Sequence, residues 1–408
     1  MRRAVLLAGG ALIAGVFVFS RHGETEPSGP DKAAMIQGAP LEAPKPVAAA
    51  PAPIAAPTLD LDHMVLVGDH YEAPLSNGTR AQLTLDPALQ EQAEKLLDQA
   101  RAPRGAIVAM APDGRILAIA GRRTEEPKGG TKGTRDLSLA TGVWAPAASV
   151  FKLVTASALV EAGVDPDDKV CYHGGIRSVS ESNLTDSKHD SRCESLLYGV
   201  AHSNNAILGK LAYQKLQPAS LDQVAHDLVG KVGNLGFQAT ASELTLPHDK
   251  SLQFAQAAAG FTGVRLSVLG GALLAATFAD KGDQPVPYIL ASAAPTTRHV
   301  LPPEVAHQVS RMMQGTCEFG SAAKSFGKRE SVAGKTGTLA TSEPFYMENS
   351  WFVGYAPADK PEIIVSVLLG NPENWHLRGH EAAKKMIERA LGPAKRRAPD
   401  REARRQAR

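Results

Sequence analysis

Three short motifs that carry serine, lysine and asparagine follow one another along this 408-residue chain, and they constrain its fold more than any other feature. The first pairs Ser149 with Lys152; the second runs from Ser203 to Asn205, and the third from Lys335 to Thr338. A serine hydroxyl is a weak nucleophile unless a base lies beside it. Residues three apart on a helix share a face. The first motif therefore predicts a helix that brings a lysine amine next to a serine hydroxyl.

The other two motifs supply polar groups for the same chemistry. A second serine and an asparagine can relay protons and hold a substrate amide, and a Lys-Thr-Gly strand can bind a carboxylate. The serine–lysine spacing alone is a weak signal, because it recurs at Ser321 with Lys324 and at Ser325 with Lys328. No Ser-x-Asn segment separates those copies from Lys335, so we interpret them as ordinary polar helix or loop. The ordered set of three predicts serine acyl transfer.

Composition narrows the functional classes further. The formal net charge of +2 argues against nucleic acid as a partner. The three cysteines form no Cys-x-x-Cys pair, so we predict no metal site, and no motif indicates a cofactor. Cys171 and Cys193 bracket a polar segment rich in glycine and serine, and we predict that they form a disulfide in an exported chain. Cys317 is predicted to be a buried thiol.

Terminal segments flank the predicted folded domain. Residues 1–20 begin with Arg2 and Arg3, continue as an apolar run and lack a nearby cleavage pair. They predict a single membrane anchor in the bacterial cytoplasmic membrane that leaves the rest of the chain on the periplasmic face, or alternatively a cleaved signal. Residues 21–58 predict a Pro- and Ala-rich linker. Residues 393–408 form a basic tail, either solvated or in contact with anionic lipid or wall polymer.

Residues 59–392 are predicted to form one α/β domain. Strands are predicted on both sides of the turn at residues 112–114, and at residues 331–338, 351–355 and 362–369. Helices are predicted at residues 149–163, at 196–216 with a bend around Ser203, at 267–280 and at 380–391. Strands from both ends of the domain, with helices between them, predict a single sheet that brings Ser149 at a helix N-terminus against the Lys335 strand.

At these motifs the chain resembles the transpeptidase domain of penicillin-binding proteins. Residues 83–90 are similar to the segment that opens such domains, and residues 332–338 and 351–357 are similar to two of their strands. The resemblance covers roughly residues 59 to 391. It implies an α/β (α+β) fold of the β-lactamase and transpeptidase type, with an antiparallel five-stranded sheet flanked by helices. It also implies acyl transfer from the D-alanyl-D-alanine end of peptidoglycan stem peptides, and inhibition by β-lactams.

The resemblance assigns roles to individual residues. Ser149 would be the nucleophile and Lys152 the base that activates it, with its pKa lowered by burial and by a neighbouring cation. Ser203 would pass a proton to the leaving amine, and Asn205 would hold Lys152 and the substrate amide. The backbone N–H groups of Ser149 and Thr338 would form the oxyanion hole. The third motif would bind the terminal carboxylate, through Lys335, Thr336, Gly337 and Thr338.

The chain also differs from the family pattern. Pro146 is followed by two alanines before the nucleophile, where family members usually have Pro-Gly, and in this it is similar to class D β-lactamases. Those enzymes carry Ser-x-Val, not Ser-x-Asn, as second motif. No Glu-x-x-Leu-Asn stretch lies between Ser203 and Lys335, so the deacylating glutamate of class A β-lactamases is not apparent.

The short segment between anchor and domain leaves room for neither a pedestal nor a glycosyltransferase. The resemblance therefore predicts a monofunctional, class B-like transpeptidase, with a separate glycosyltransferase as a possible partner. A D,D-carboxypeptidase and a class D-like β-lactamase remain alternatives that use the same residues. A non-catalytic penicillin sensor or scaffold is a further alternative.

Overall fold

The computed structural model describes residues 57–175, 178–327 and 331–395, and for residues 393–395 it describes the backbone alone. The predicted anchor, nearly all of the linker and most of the basic tail lie outside these ranges. Within them, no helix is both long enough and apolar enough to cross a bilayer.

Sixteen strands are present in the described part of the chain: β1 (Val65–Val67), β2 (His70–Pro74), β3 (Arg80–Gln82), β4 (Arg104–Met110), β5 (Ile116–Arg123), β6 (Thr134–Arg135), β7 (Ala145–Pro146), β8 (Lys169–Tyr172), β9 (Arg192–Ser195), β10 (Ser242–Leu244), β11 (Val264–Leu266), β12 (Asp283–Pro285), β13 (Thr297–His299), β14 (Ala333–Thr341), β15 (Met347–Ala356) and β16 (Ile363–Asn371).

Ten α-helices accompany these strands in the same ranges: α1 (Pro87–Ala100), α2 (Ser138–Thr141), α3 (Lys152–Glu161), α4 (Leu196–Ala201), α5 (Asn205–Lys215), α6 (Pro218–Val229), α7 (Leu252–Ala258), α8 (Val268–Ala279), α9 (Pro303–Glu318) and α10 (Gly379–Lys395). Two short 3₁₀ helices, η1 (Ala148–Phe151) and η2 (Glu181–Asn183), complete the set. The last helix contains a kink at Gly392, whose φ is +65°.

The central sheet has the order β14-β15-β16-β4-β5-β6, and every neighbouring pair is antiparallel. The prediction of one antiparallel sheet built from both ends of the domain is confirmed. The sheet has six strands, not the five predicted, because Thr134 and Arg135 add a two-residue strand beside β5. A strand this short shows no hydrophobic alternation, so the sequence pattern could not indicate it.

Helices cover both faces of this sheet. On one face, α1 packs against β4 and β5, and α10 packs against β15 and β16. On the other face, α8 packs against β4, β15 and β16. Residues Val268 to Phe278 of α8 are buried, as expected for a helix that is apolar on all sides. The sheet therefore lies between two apolar layers and has β14 at one edge. This packing holds β14 next to the helices that carry the first two motifs.

A small separate hairpin lies close to those helices. In it, β8 pairs with β9, and Cys171 lies directly opposite Cys193 in the register. The two cysteines form a disulfide, and both are exposed. Cys317 is buried on α9 and takes no part in this disulfide.

Candidate active site

The turn that carries Ser149 differs from the predicted helix start. Ser149 lies in η1, and the α-helix begins only at Lys152. Ala148 has a φ of +49°, in the left-handed region that glycine adopts most easily. Gly260 supports this turn closely, because a Cβ at that position would lie 2.2 Å from the Ala148 carbonyl oxygen. The turn leaves Ser149 half-buried, and Lys152 follows three residues later as the first residue of α3.

Lys152 is completely buried, and its three hydrogen-bond acceptors are neutral groups. Its Nζ donates to Ser149 Oγ at 2.9 Å, to Asn205 Oδ1 at 2.8 Å and to the Ala259 carbonyl oxygen. An ammonium group has three protons, so these acceptors satisfy all of them. In the neutral amine, two N–H groups can stay on the two carbonyl oxygens, and the lone pair then points at the Ser149 hydroxyl. The geometry suits a base that removes the Ser149 proton.

Electrostatics favour that neutral form. Burial lowers the pKa of Lys152 well below its usual range, and the positive charge of Lys335 lowers it further. None of the three hydrogen-bond partners of Lys152 is a carboxylate, so nothing among them stabilises the ammonium by opposite charge. An amine with a lowered pKa at neutral pH is available as a general base.

The second motif lies where the predicted bend occurs. Helices α4 and α5 are separated by residues 202–204, and Ser203 has a φ of +57°. A non-glycine residue in this region is strained, and such residues concentrate at functional sites. Asn204 caps α5 by accepting a hydrogen bond from the Ile207 N–H at 3.1 Å. This cap fixes the first turn of α5, from which Asn205 reaches Lys152.

The third motif lies on the edge strand β14, which packs against the η1 turn. Lys335 is completely buried, and its Nζ donates to Ser203 Oγ at 3.1 Å and to the Thr336 carbonyl oxygen at 2.9 Å. Burial lowers the pKa of Lys335 to about 7. Gly337 permits the close approach of the strand, because a Cβ there would lie 3.1 Å from Trp351 Cβ and 3.4 Å from Ala148 Cβ. A side chain at this position would therefore have to displace these neighbours by a few tenths of an ångström.

The motif residues form two hydrogen-bonded sets. Lys152 joins Ser149 and Asn205, and Lys335 joins Ser203. Within the described residues, no hydrogen bond links Ser203 directly to Ser149 or Lys152. The charge of Lys335 nevertheless acts on Lys152, so the sets are neighbours. A substrate that spans both would complete one site.

Thr336 is half-buried and Thr338 is exposed, and both line a cavity of about 720 Å³. The loop between β16 and α10 forms the opposite wall of this cavity and includes Trp375 and Arg378. A second cavity of about 400 Å³ adjoins Ser203 and is walled by the end of the disulfide hairpin. The site is thus open on two sides. Both threonine side chains are accessible to a ligand from the larger cavity.

Sequence reasoning missed three contributors to the site. The Ala259 carbonyl and Gly260 act through the backbone, so their side-chain types gave no signal. Ser321, which we interpreted as ordinary polar loop, is in a turn as expected, but its Oγ lies 2.5 Å from Thr336 Oγ1. The other extra serine–lysine copy ends at Lys328, outside the described residues.

Two other residues have structural roles in the described chain. His202 stacks on Tyr198 with ring centroids 4.2 Å apart and lies 5.8 Å from the ring of Phe319. Trp351 is completely buried on β15, and its indole N–H donates to the Pro146 carbonyl at 2.9 Å. No group of His, Cys, Asp and Glu side chains in the described ranges could hold a metal ion.

The family of the chain follows from this fold and site. The model of the penicillin binding protein transpeptidase domain matches residues 105–391, and the chain belongs to this family. Stage V sporulation protein D of Bacillus subtilis is 26% identical over 75% of this chain and 51% of its own length. The probable peptidoglycan D,D-transpeptidase PenA of Neisseria flavescens is 27% identical over 72% of this chain and 77% of its own length.

A solved structure gives the same result. The D,D-transpeptidase domain of a peptidoglycan glycosyltransferase from Eggerthella lenta is 25% identical to this chain, with a TM-score of 0.62. The match covers 76% of this chain and 82% of that domain. The α/β fold predicted from the motifs is therefore confirmed as that of a penicillin-binding protein transpeptidase domain. The chain spans about half the length of the sporulation protein.

Proposed function

We propose that this chain is a serine D,D-transpeptidase that cross-links peptidoglycan stem peptides through an acyl-enzyme on Ser149 and that β-lactams inhibit it. The observation that carries the proposal is the Lys152 amine, buried without a carboxylate partner and 2.9 Å from Ser149 Oγ. Membership of the transpeptidase family, and the D,D-transpeptidase name of one relative, support the same reaction.

The reaction would begin with proton transfer from the Ser149 hydroxyl to neutral Lys152. Ser149 Oγ then attacks the carbonyl of the penultimate D-alanine, and the oxyanion forms near the N–H groups of Ser149 and Thr338. As the peptide C–N bond breaks, Ser203, hydrogen-bonded to Lys335 at 3.1 Å, passes the proton taken up by Lys152 to the departing D-alanine amine. Lys335, Thr336 and Thr338 bind the terminal carboxylate, which would also raise the pKa of the buried Lys335 amine. An acceptor amine then attacks the acyl-enzyme by the reverse path.

Position in the cell belongs to the same proposal. Residues 1–20 anchor the chain in the cytoplasmic membrane, and the linker of residues 21–58 carries the domain on the periplasmic face. A separate glycosyltransferase would supply the glycan strands that the domain cross-links. Mass measurement of the native membrane protein tests the anchor, because a mature N-terminus after residue 20 would show cleavage.

The experiment that tests the activity separates acylation from its outcome. The purified domain is given a stem-peptide donor or a thioester donor, with and without an amine acceptor, and products are measured by mass spectrometry. We expect D-alanine or thiol release with amine-exchanged or cross-linked product, and a penicillin adduct that persists for many minutes. Hydrolysis at every amine concentration would indicate a carboxypeptidase, and rapid turnover of penicillin a β-lactamase. No acylation by donor or drug would leave only a scaffold.

A further inference from the structure

Ser321 contacts the third motif from outside all three motifs. It lies in the turn after α9, is exposed, and its Oγ is 2.5 Å from Thr336 Oγ1. Both residues line the cavity of about 720 Å³ that also contains Thr338. The mechanism above uses Thr336 but gives Ser321 no role.

The backbone of the same turn holds the second motif. The Ser321 N–H donates to the Ala201 carbonyl oxygen at 2.9 Å. Gly320 packs tightly here, because a Cβ at Gly320 would lie 2.1 Å from that oxygen. Ala201 is the last residue of α4, two positions before Ser203. The turn at residues 320–321 therefore fixes the end of the helix that leads into Ser203.

These contacts form a closed loop of hydrogen bonds between β14, the turn after α9 and the second motif. Ser321 binds the end of α4 through its backbone and Thr336 through its hydroxyl. Lys335, next to Thr336 in the chain, returns to the second motif through its 3.1 Å hydrogen bond to Ser203 Oγ. Ser321 thus joins the end of α4 to β14, two elements that the Lys335–Ser203 hydrogen bond also connects.

We infer that Ser321 is a positioning residue that orients the Thr336 hydroxyl toward the carboxylate of the substrate or of a β-lactam. A threonine hydroxyl has one proton and two acceptor lone pairs. When that proton is donated to a carboxylate, Thr336 Oγ1 can accept from the Ser321 hydroxyl, and each bond strengthens the other. This inference rests on the proposed function, because it concerns carboxylate recognition at that site.

The test compares Ser321→Ala with Ser321→Thr and with Ser325→Ala as matched control. Ser325 lies four residues further along the same turn, and its hydroxyl makes no hydrogen bond within the described residues. Acylation rates are measured for a penicillin and for its carboxylate ester. We expect Ser321→Ala to lower the second-order rate for the penicillin about fivefold to tenfold, through weaker initial binding, and to change the ester rate less than twofold. Ser321→Thr and Ser325→Ala should stay within twofold of the parent.

A double-mutant cycle tests whether Ser321 acts through Thr336. In a Thr336→Val background, Ser321→Ala should cause no further loss for the penicillin, because the group that it orients is already absent. Additive losses would overturn the inference, as would equal losses for penicillin and ester. An acylated parent with an unaffected Ser321→Ala variant overturns this inference alone. A parent that no penicillin acylates overturns both this inference and the proposed function.

Discussion

Lys152 and Lys210 are both completely buried, yet their surroundings drive their pKa values in opposite directions. Burial lowers the pKa of Lys152, and the charge of Lys335 adds to that effect. Burial also acts to lower the pKa of Lys210, but hydrogen bonds from its Nζ to Asp190 at 2.7 Å and Asp186 at 2.9 Å raise it overall. The comparison teaches that the partners of a buried lysine decide whether it is a base or a structural cation.

The two lysines also differ in what they hold. Lys210 donates to the Cys171 carbonyl oxygen at 2.8 Å and so ties α5 to the disulfide hairpin. Asp190 extends this network to His173 at 2.6 Å. Lys152 contacts Ser149, the proposed nucleophile, instead. One helix, α5, therefore carries both Asn205, which contacts Lys152, and Lys210, whose ion pair stabilises the neighbouring hairpin.

Removal of the Lys152 amine should have the largest effect on the acylation rate. Lys152→Ala should lower the rate of Ser149 acylation by a β-lactam about 10³-fold, because the base is lost. Stopped-flow absorbance with a chromogenic cephalosporin measures this rate. Lys169→Ala, at an exposed position on β8, is the control and should acylate like the parent. If a Lys152→Ala variant retained more than a tenth of the parent acylation rate, Lys152 would not be the base.

A carboxylate beside Lys152 should make it resemble Lys210. Asn205→Asp replaces a carbonyl oxygen 2.8 Å from Lys152 Nζ with a charged one, and the pKa of Lys152 should rise. Acylation at pH 7 should fall about 100-fold and recover in part as the pH is raised.

Asn204→Asp is the matched control for this substitution. It adds the same charge one residue away, at an N-cap position where aspartate and asparagine are equally favoured. The acylation rate of the Asn204→Asp variant at pH 7 should fall less than tenfold. Equal losses for Asn204→Asp and Asn205→Asp would show that a general field effect, and not the partner of Lys152, sets the rate.

Above neutral pH, the binding of carboxylate-bearing ligands should depend on the protonation of Lys335 in the third motif. Burial lowers the pKa of Lys335 to about 7, so its amine is charged below that pH and becomes neutral above it. Binding of a carboxylate-bearing penicillin should therefore weaken above about pH 7, by up to tenfold per pH unit, whereas binding of its ester should not. Apparent dissociation constants from acylation kinetics provide the measurement. Identical alkaline limbs for both ligands would argue against Lys335 as the carboxylate partner.

The Lys210–Asp190 ion pair should affect the stability of the fold more than the rate of acylation. Asp190→Asn should lower the free energy of unfolding by about 2 kcal/mol, because Lys210 keeps only Asp186 as a charged partner. Asp186→Asn should lower it much less, because the Asp186 side chain is 93% exposed and solvent screens its charge. Urea denaturation measures both values. Similar losses for the two variants would contradict the difference in burial on which the prediction depends.

The same pair predicts a pH dependence of stability. Hydrogen bonds and the Lys210 charge, opposed by burial, lower the pKa of Asp190 to about 2, below its value of about 3.9 in an unfolded chain. The stabilisation should therefore be complete above about pH 4 and should be lost as the pH falls toward 2. In Asp190→Asn this part of the acid denaturation should be absent.

Much of the fold could be read from the sequence because its signals are side-chain patterns. The apolar run of α8 and the strand that carries Lys335 are examples. The 3₁₀ turn at Ser149 could not be predicted, since it depends on Ala148 taking a φ of +49° against Gly260, which is distant in sequence. The third acceptor of Lys152 is a backbone carbonyl, which any residue could supply. Ser321 belongs to a spacing that the sequence repeats, so only its proximity to Thr336 distinguishes it.

The pKa of Lys152 is the most direct test of this account. Two-dimensional NMR of lysine-labelled protein can follow each buried amine with pH, and Lys152 and Lys210 are assigned by substituting each in turn. We expect Lys152 to lose its proton well below the ordinary lysine pKa of about 10.4, and Lys210 to lose its proton above it. A Lys152 amine that stays charged up to that value would contradict its role as the base for Ser149.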